Sequence, residues 1–108
     1  MSWYNKKIKI AGIETPFNVL KNDRILTEEE LIRAIRSMVS AEYDGIRLYM
    51  QLSESTDNEL AQKTLREIAD EERVHAGEFL RLLKELTPEE QDFYDEGTDE
   101  VEKKMKED

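Results

Sequence analysis

Cysteine is absent from all 108 residues, so no disulfide framework, thiolate zinc site or cysteine nucleophile can be built from them. No apolar run approaches the roughly 20 residues of a membrane span. The opening Met1-Ser2-Trp3-Tyr4-Asn5-Lys6-Lys7 lacks the apolar stretch of a secretory signal. Positive charge is scarce: 16 Lys and Arg stand against 26 Asp and Glu, a net charge of -10. That balance argues against nucleic acid and anionic membranes as partners. It favours the attraction of cations through the summed surface field. Hydrophobic residues make up 38% and charged residues 39%, which suits one small domain of thin amphipathic helices that complete their core by self-association.

What is present is a pair of helical seams with a misfit at their centres. From Leu31 the first reads Leu31, Ile35, Met38, Glu42, Gly45, Tyr49, Leu52, in alternating steps of four and three. The second reads Ala61, Leu65, Ile68, Glu72, His75, Phe79, Leu82, Leu86. An ionised carboxylate on a packed face costs several kcal/mol unless something compensates it. Three ligand-type side chains in the middle of two opposed seams point to a metal as the compensation.

Capping signals divide the chain. Thr27-Glu28-Glu29-Glu30 is a capping box that opens a helix running to about Glu54. Thr56-Asp57-Asn58-Glu59 reads as a second box, opening a helix to about Leu86, and Thr87-Pro88-Glu89-Glu90 as a third, with Pro88 at the first helical position. The short connection near Thr56 makes the two long helices an antiparallel hairpin. Before them, residues 1–26 read as an extended arm. Lys7-Ile8-Lys9-Ile10 alternates as a strand does, Ala11-Gly12 can turn, and Glu14-Thr15-Pro16-Phe17 is expected to break any regular element. The arm carries apolar anchors at Trp3, Ile8, Ile10, Ile13, Phe17, Val19 and Leu20. Residues 27–96 hold the hairpin and the start of a third helix. Gly97-Thr98 is expected to interrupt that helix, leaving 97–108 as a charged helix, tail or linker. The expected class is all-α.

Glu72-Arg73-Val74-His75 is an E-x-x-H motif, and on a helix residues three apart project from one face. Counted from the turn near Thr56 at roughly 1.5 Å per residue, Glu42 lies about 21 Å away and Glu72 about 24 Å, nearly level. One chain therefore supplies half the ligand set of a carboxylate-bridged di-iron bundle. A twofold dimer of hairpins completes it, with the dinuclear site on the axis. One imidazole and oxygen-rich ligands per metal suit iron or manganese. The competing structural account makes Glu42 and His75 a buried polar pair that sets helix register. Tyr49 shares Glu42's stripe and is either a donor to the site or a core aromatic. Gly45 suits close helix approach. Asp44, with Glu54, Asp70 and Glu71, is a candidate for guiding entering cations.

On Glu42-Tyr43-Asp44-Gly45-Ile46-Arg47-Leu48-Tyr49 and Ile68-Ala69-Asp70-Glu71-Glu72-Arg73-Val74-His75 the chain resembles the encapsulated ferritins, the short two-helix branch of the ferritin-like group. The likeness covers residues 27–86. It implies a ferritin-like four-helix bundle formed by dimerisation, with Glu42, Tyr49, Glu72 and His75 as the ferroxidase centre. It also implies oxidation of Fe(II) to Fe(III) with dioxygen or peroxide at two irons per dimer interface, positions that other divalent metals can take. Homodimers are expected in a decameric ring, carried as cytoplasmic cargo in an encapsulin nanocompartment whose shell protein is the partner. Three features depart from some relatives. Ala41 stands where some carry an extra acidic residue, and Leu48 stands where some have Trp. The C-terminus lacks the Gly/Ser/Leu-rich peptide that commonly docks cargo to the shell. Docking then uses another route, or 1–108 is the front of a shell fusion. A rubrerythrin-like peroxidase and a non-enzymatic helical adaptor are the alternative readings.

Overall fold

Thr27 opens the first helix by the reciprocal contact that its spacing predicts. The computed structural model describes the backbone of residues 7–10 and 13–18 and the whole of residues 24–107. In it the Glu30 amide donates to Thr27 Oγ1 at 3.2 Å, and the Thr27 amide donates to Glu30 Oε1 at 2.9 Å. Arg24 grips the same carboxylate at both oxygens, at 2.8 and 2.6 Å. From this anchor α1 runs Glu28–Glu54.

The second helix, α2 (Glu59–Leu86), starts two residues later than the expected Thr56 cap. Asn58 is the cap: its Oδ1 accepts from the Ala61 amide at 2.9 Å. Thr56 is committed elsewhere, its hydroxyl accepting from the Asn58 amide at 3.2 Å and its carbonyl from Gln62 at 2.7 Å. Asparagine is also the stronger cap of the two. Thr87 closes α2 and also stands at the N-cap of the 3-10 turn that begins with Pro88, but without the side-chain bond of a capping box. It is buried, and its hydroxyl donates back to the Leu83 carbonyl at 2.7 Å. A single 3-10 turn, Pro88–Glu90, then leads into α3 (Gln91–Met105).

α3 passes through Gly97-Thr98 without a break, contrary to expectation. A helical glycine costs about 1 kcal/mol against alanine, which the surrounding turns absorb. The expectation that Glu14-Thr15-Pro16-Phe17 interrupts regular structure also fails. β1 (Lys7–Ile10) and β2 (Ile13–Asn18) pair antiparallel, and β2 includes Pro16. Proline is tolerated on edge strands and at irregularities. Both strands of a two-stranded ribbon are edges, and Pro16 lies opposite the register irregularity between Lys7 and Lys9. The side chains of the proposed arm anchors, the Ala11-Gly12 turn and the stretch from Val19 into Lys21 lie outside the described residues.

The architecture is therefore a long antiparallel hairpin with a shorter helix leaving its open end, in a body of 59 × 47 × 18 Å. Small residues make the contact between α1 and α2. Ala41, Ser53, Ala69 and Ala76 are buried, with Ile35 the one large apolar side chain among them. Ser53 satisfies its hydroxyl by donating to the Met50 carbonyl at 2.7 Å. Large seam residues remain uncovered: Leu31, Leu52 and Leu82 are all exposed. The foot of α3 is tied to α1 by Glu90, which accepts from Arg36 on one oxygen and from Tyr94 on the other. Tyr94, then Arg36, hold the Glu90 carboxyl below the usual range, and Glu90 pushes the Tyr94 phenol up.

Glu30 is the group that the helix start perturbs most. Arg24's hydrogen bond and then the Thr27 amide lower its pKa to about 2. A depressed carboxylate adds stability that is complete above its ordinary value of 4.5 and is lost as pH falls toward about 2. Carboxyl NMR titration should place the Glu30 midpoint near 2, and Arg24→Ala should move it upward. A wild-type midpoint at 4.5 contradicts the clamp. Thr27→Ala should lose about 1 kcal/mol in denaturant unfolding.

Candidate metal centre

α1 brings Glu42 to the level at which α2 presents Glu72 and His75. One donor atom from each lies within 4.8 Å of the others. His75 Nδ1 is 3.8 Å from Glu42 Oε1 and 3.7 Å from Glu72 Oε1. Those separations are too long for hydrogen bonds. They fit two ligands of one ion, because bonds of about 2.0–2.2 Å to a shared metal hold neighbouring donors roughly 3–4 Å apart.

Burial is graded across the group. The side chains of Glu42 and Glu72 are 16% and 23% exposed, while that of His75 is 47% exposed. The second oxygen of Glu42, Oε2, is buried with no hydrogen-bond partner. A buried carboxylate oxygen without a hydrogen-bond partner is a costly arrangement. A divalent cation resolves it: it accepts lone pairs from both carboxylates and the imidazole and offsets the negative charge. The donor set therefore fits a metal.

The structure brings together the three residues singled out as ligands and leaves the other candidates around them. Tyr49 is half-buried beside Gly45, and its hydroxyl has no hydrogen-bond partner among the described residues. A Cβ built on Gly45 would lie 3.7 Å from the Tyr49 ring and 3.8 Å from Glu72 Oε2, both ordinary contacts. Nothing inside one chain demands glycine there. Asp44 stands outside the cluster, its carboxylate gripped by Arg47 at 2.7 Å. Asp70 is similarly taken by Arg73 at 2.6 Å. Both pairs are three residues apart on a helix, a spacing that predicts such contacts. Glu54 and Glu71 are exposed. Among the described residues no second group of ligand side chains converges.

The chain is similar to several known proteins. The profile of the Rubrerythrin family matches residues 29–107. The "Ferritin-like-encapsulin shell fusion protein" of Pyrococcus furiosus is 37% identical over 83 residues, which are 77% of this chain and 24% of that protein. The "Encapsulin nanocompartment cargo protein EncC" of Myxococcus xanthus is 45% identical over 74 residues, 68% of this chain and 56% of the relative. The chain thus spans about a quarter and just over half of these two curated relatives. The crystal structure of the encapsulated ferritin domain from Pyrococcus furiosus superposes with a TM-score of 0.72 at 36% identity, covering 79% of this chain and 87% of that one.

The orphaned oxygen yields a test on the metal-free protein. Glu42→Met removes a buried, uncompensated carboxylate, so the metal-free variant should be more stable than the wild type. Mn(II) or Zn(II) should raise the wild-type melting temperature, with about 2.7 kcal/mol of stabilisation at a hundredfold excess over Kd. The variant should not respond. Scanning calorimetry measures both, and a metal-free variant weaker than the wild type contradicts this account of Glu42.

Proposed function

The chain belongs to the rubrerythrin family, and we propose that it is a ferroxidase, oxidising Fe(II) to Fe(III) at a site completed by two copies of the hairpin. The convergence of Glu42, Glu72 and His75, with an unpartnered buried oxygen on Glu42, is the observation that carries this reading. Two carboxylates and one imidazole are half of a di-iron donor set. The exposed side of His75 and the uncovered Leu31, Leu52 and Leu82 give a second hairpin a face to close against. Gly45 suits the same contact, since a bare backbone lets a neighbouring helix come near.

Iron is the substrate. In the twofold pair two copies of Glu42 and of Glu72 place four negative charges against the four positive charges of two Fe(II). The imidazoles are neutral when they act as ligands. Glu42, Glu72 and His75 of the two copies would hold the irons, and the second hairpin would cover the exposed side of His75. One electron leaves each Fe(II), and the two together reduce dioxygen to peroxide or peroxide to water. Oxidation adds two positive charges, so the product no longer matches the site that held the substrate. Tyr49 serves as a neighbouring hydroxyl on the same stripe. A cation-guiding role for Asp44 requires Arg47 to release it.

The relatives' names, a cargo protein of an encapsulin nanocompartment and a shell fusion, support an encapsulin shell as the partner and the compartment's interior as the location. The homodimer is the functional unit, and a decameric ring of dimers is its proposed assembly. No helix among the described residues is long and apolar enough to cross a membrane. A rubrerythrin-like peroxidase is the second reading, favoured by the family match itself. With no cysteine in these residues, the electrons for sustained peroxide turnover must come from outside them.

Aerobic Fe(II) addition, followed by Fe(III) absorbance, separates these outcomes. His75→Ala removes a direct ligand, so its rate should fall by more than the roughly 10–100-fold typical of losing a supporting hydrogen bond to a ligand. Equal rates in variant and wild type overturn the ferroxidase reading. Steady peroxide consumption with an added reductase, without accumulation of Fe(III), favours the peroxidase.

A further inference from the structure

The face of α1 beside Glu42 is covered, and α2 accounts for only part of the cover. Ser37, Ala41, Asp44 and Leu48 form one stripe, in steps of four and three. Ala41 lies about 100° round the helix from Glu42 and about 120° from Ile35, with Asp44 nearly opposite Ile35. Ala41 thus stands at the rim of the contact with α2, yet it is only 8% exposed. Ser37 and Asp44 are half-buried as well, Asp44 with Arg47 across it. One turn on, Leu48 is open. A second wall therefore roofs the stripe from Ser37 to Asp44 and stops before Leu48. Besides α2, the described element packed against α1 is β2.

We infer that the β1–β2 ribbon is a strap seated on Ala41, closing the α1 flank of the metal centre to passing cations. Two strands alone are marginal in water, so the ribbon needs a surface to lie on. Alanine supplies it, because a single methyl group lets a strand backbone come close and a larger side chain would prop it off. The seat is level with the site: along the axis, Ala41 and Asp44 are within about 3 Å of Glu42. The stripe also borders the seam that carries Glu42 and Gly45. A cation approaching Glu42 along this flank must first displace the ribbon. The matched family profile begins at residue 29, so the strap lies outside it. In one chain the exposed side of His75 is the approach that stays open.

A strap that touches no ion changes access without changing affinity. It slows entry and release by one factor, and their ratio, Kd, stays where the ligands set it. That signature separates a strap from a residue that shapes the ligands. The inference rests on Glu42, Glu72 and His75 holding a metal, as read above, and not on iron being oxidised.

Zn(II) is the probe, on the whole chain, with uptake and release followed by stopped flow against a chromophoric chelator. Hydrogen exchange of residues 7–18 reports whether the ribbon is seated. Ala41→Phe should lift the ribbon and open its amides to exchange. Both rates should then rise by about tenfold, as for a strap open about a tenth of the time, with Kd unchanged. Ile10→Pro should do the same without touching α1, since it takes an amide from the pairing with Ile13. Ala41→Ser keeps the seat and should behave as the wild type does. A ribbon that stays protected in Ala41→Phe overturns the strap. So do unchanged rates in a variant whose ribbon exchanges freely, or a Kd that moves with the rates. A wild type that takes up no Zn(II) fails differently: it removes the metal centre and leaves the strap nothing to close.

Discussion

A negative charge held where an apolar side chain would pack is the constraint on which this molecule turns. Glu42 occupies the centre of the α1 seam with one oxygen buried and unpartnered, and Glu72 faces it from α2 with His75 alongside. Among the described residues neither carboxylate has a lysine or arginine as a close partner. Arg47 and Arg73, the basic residues nearest in sequence, are engaged by Asp44 and Asp70 on their own helices. Those two positive charges are thus kept off the trio, which leaves its negative charge for a cation from solution to offset. A buried salt bridge in the same place would fix register but leave nothing to exchange.

The hairpin makes this arrangement affordable because its own closure needs so little side-chain volume. Apart from Ile35, alanine and serine are the most buried residues of α1 and α2, while several large apolar residues are left for other contacts. A packed pair of helices normally spends its leucines on each other. Here Leu31, Leu52 and Leu82 remain exposed, so each helix has one face for the hairpin and another in reserve. The metal ligands sit between these two faces. In the proposed dimer, that placement puts the site at the seam between subunits.

The convergence of Glu42, Glu72 and His75 is legible in the sequence because charged residues interrupt an otherwise regular apolar spacing. Helix α1 is legible because Thr27 and Glu30 have no rival cap nearby. Asn58 is harder to pick, since Thr56, Asp57 and Asn58 are all good caps and only the folded turn shows which amides each can reach. Ala41, Ser53, Ala69 and Ala76 carry almost no hydropathy signal, so the true contact between the long helices is invisible to periodicity. β2 is missed because proline excludes a residue from a sheet interior, a rule that has no force in a two-stranded ribbon. The continuity of α3 through Gly97 is missed for a different reason: a local penalty of about 1 kcal/mol is outweighed by turns on both sides of it.

Splitting the ligands between two copies has a thermodynamic consequence. If each hairpin contributes half of the donor set, an ion that prefers the complete site also prefers the paired state. By linkage, pairing then tightens the ion by the same factor. A lone hairpin offers three donors, one of them nearly half exposed, and so holds a cation weakly. Chains that meet without metal bring four carboxylates together, a repulsion that only cations relieve. In the proposed dimer, metal and assembly are therefore each other's ligand, and the second layer of helices is gained as the site fills. In the proposed ferroxidase the same coupling would keep oxidation off isolated chains.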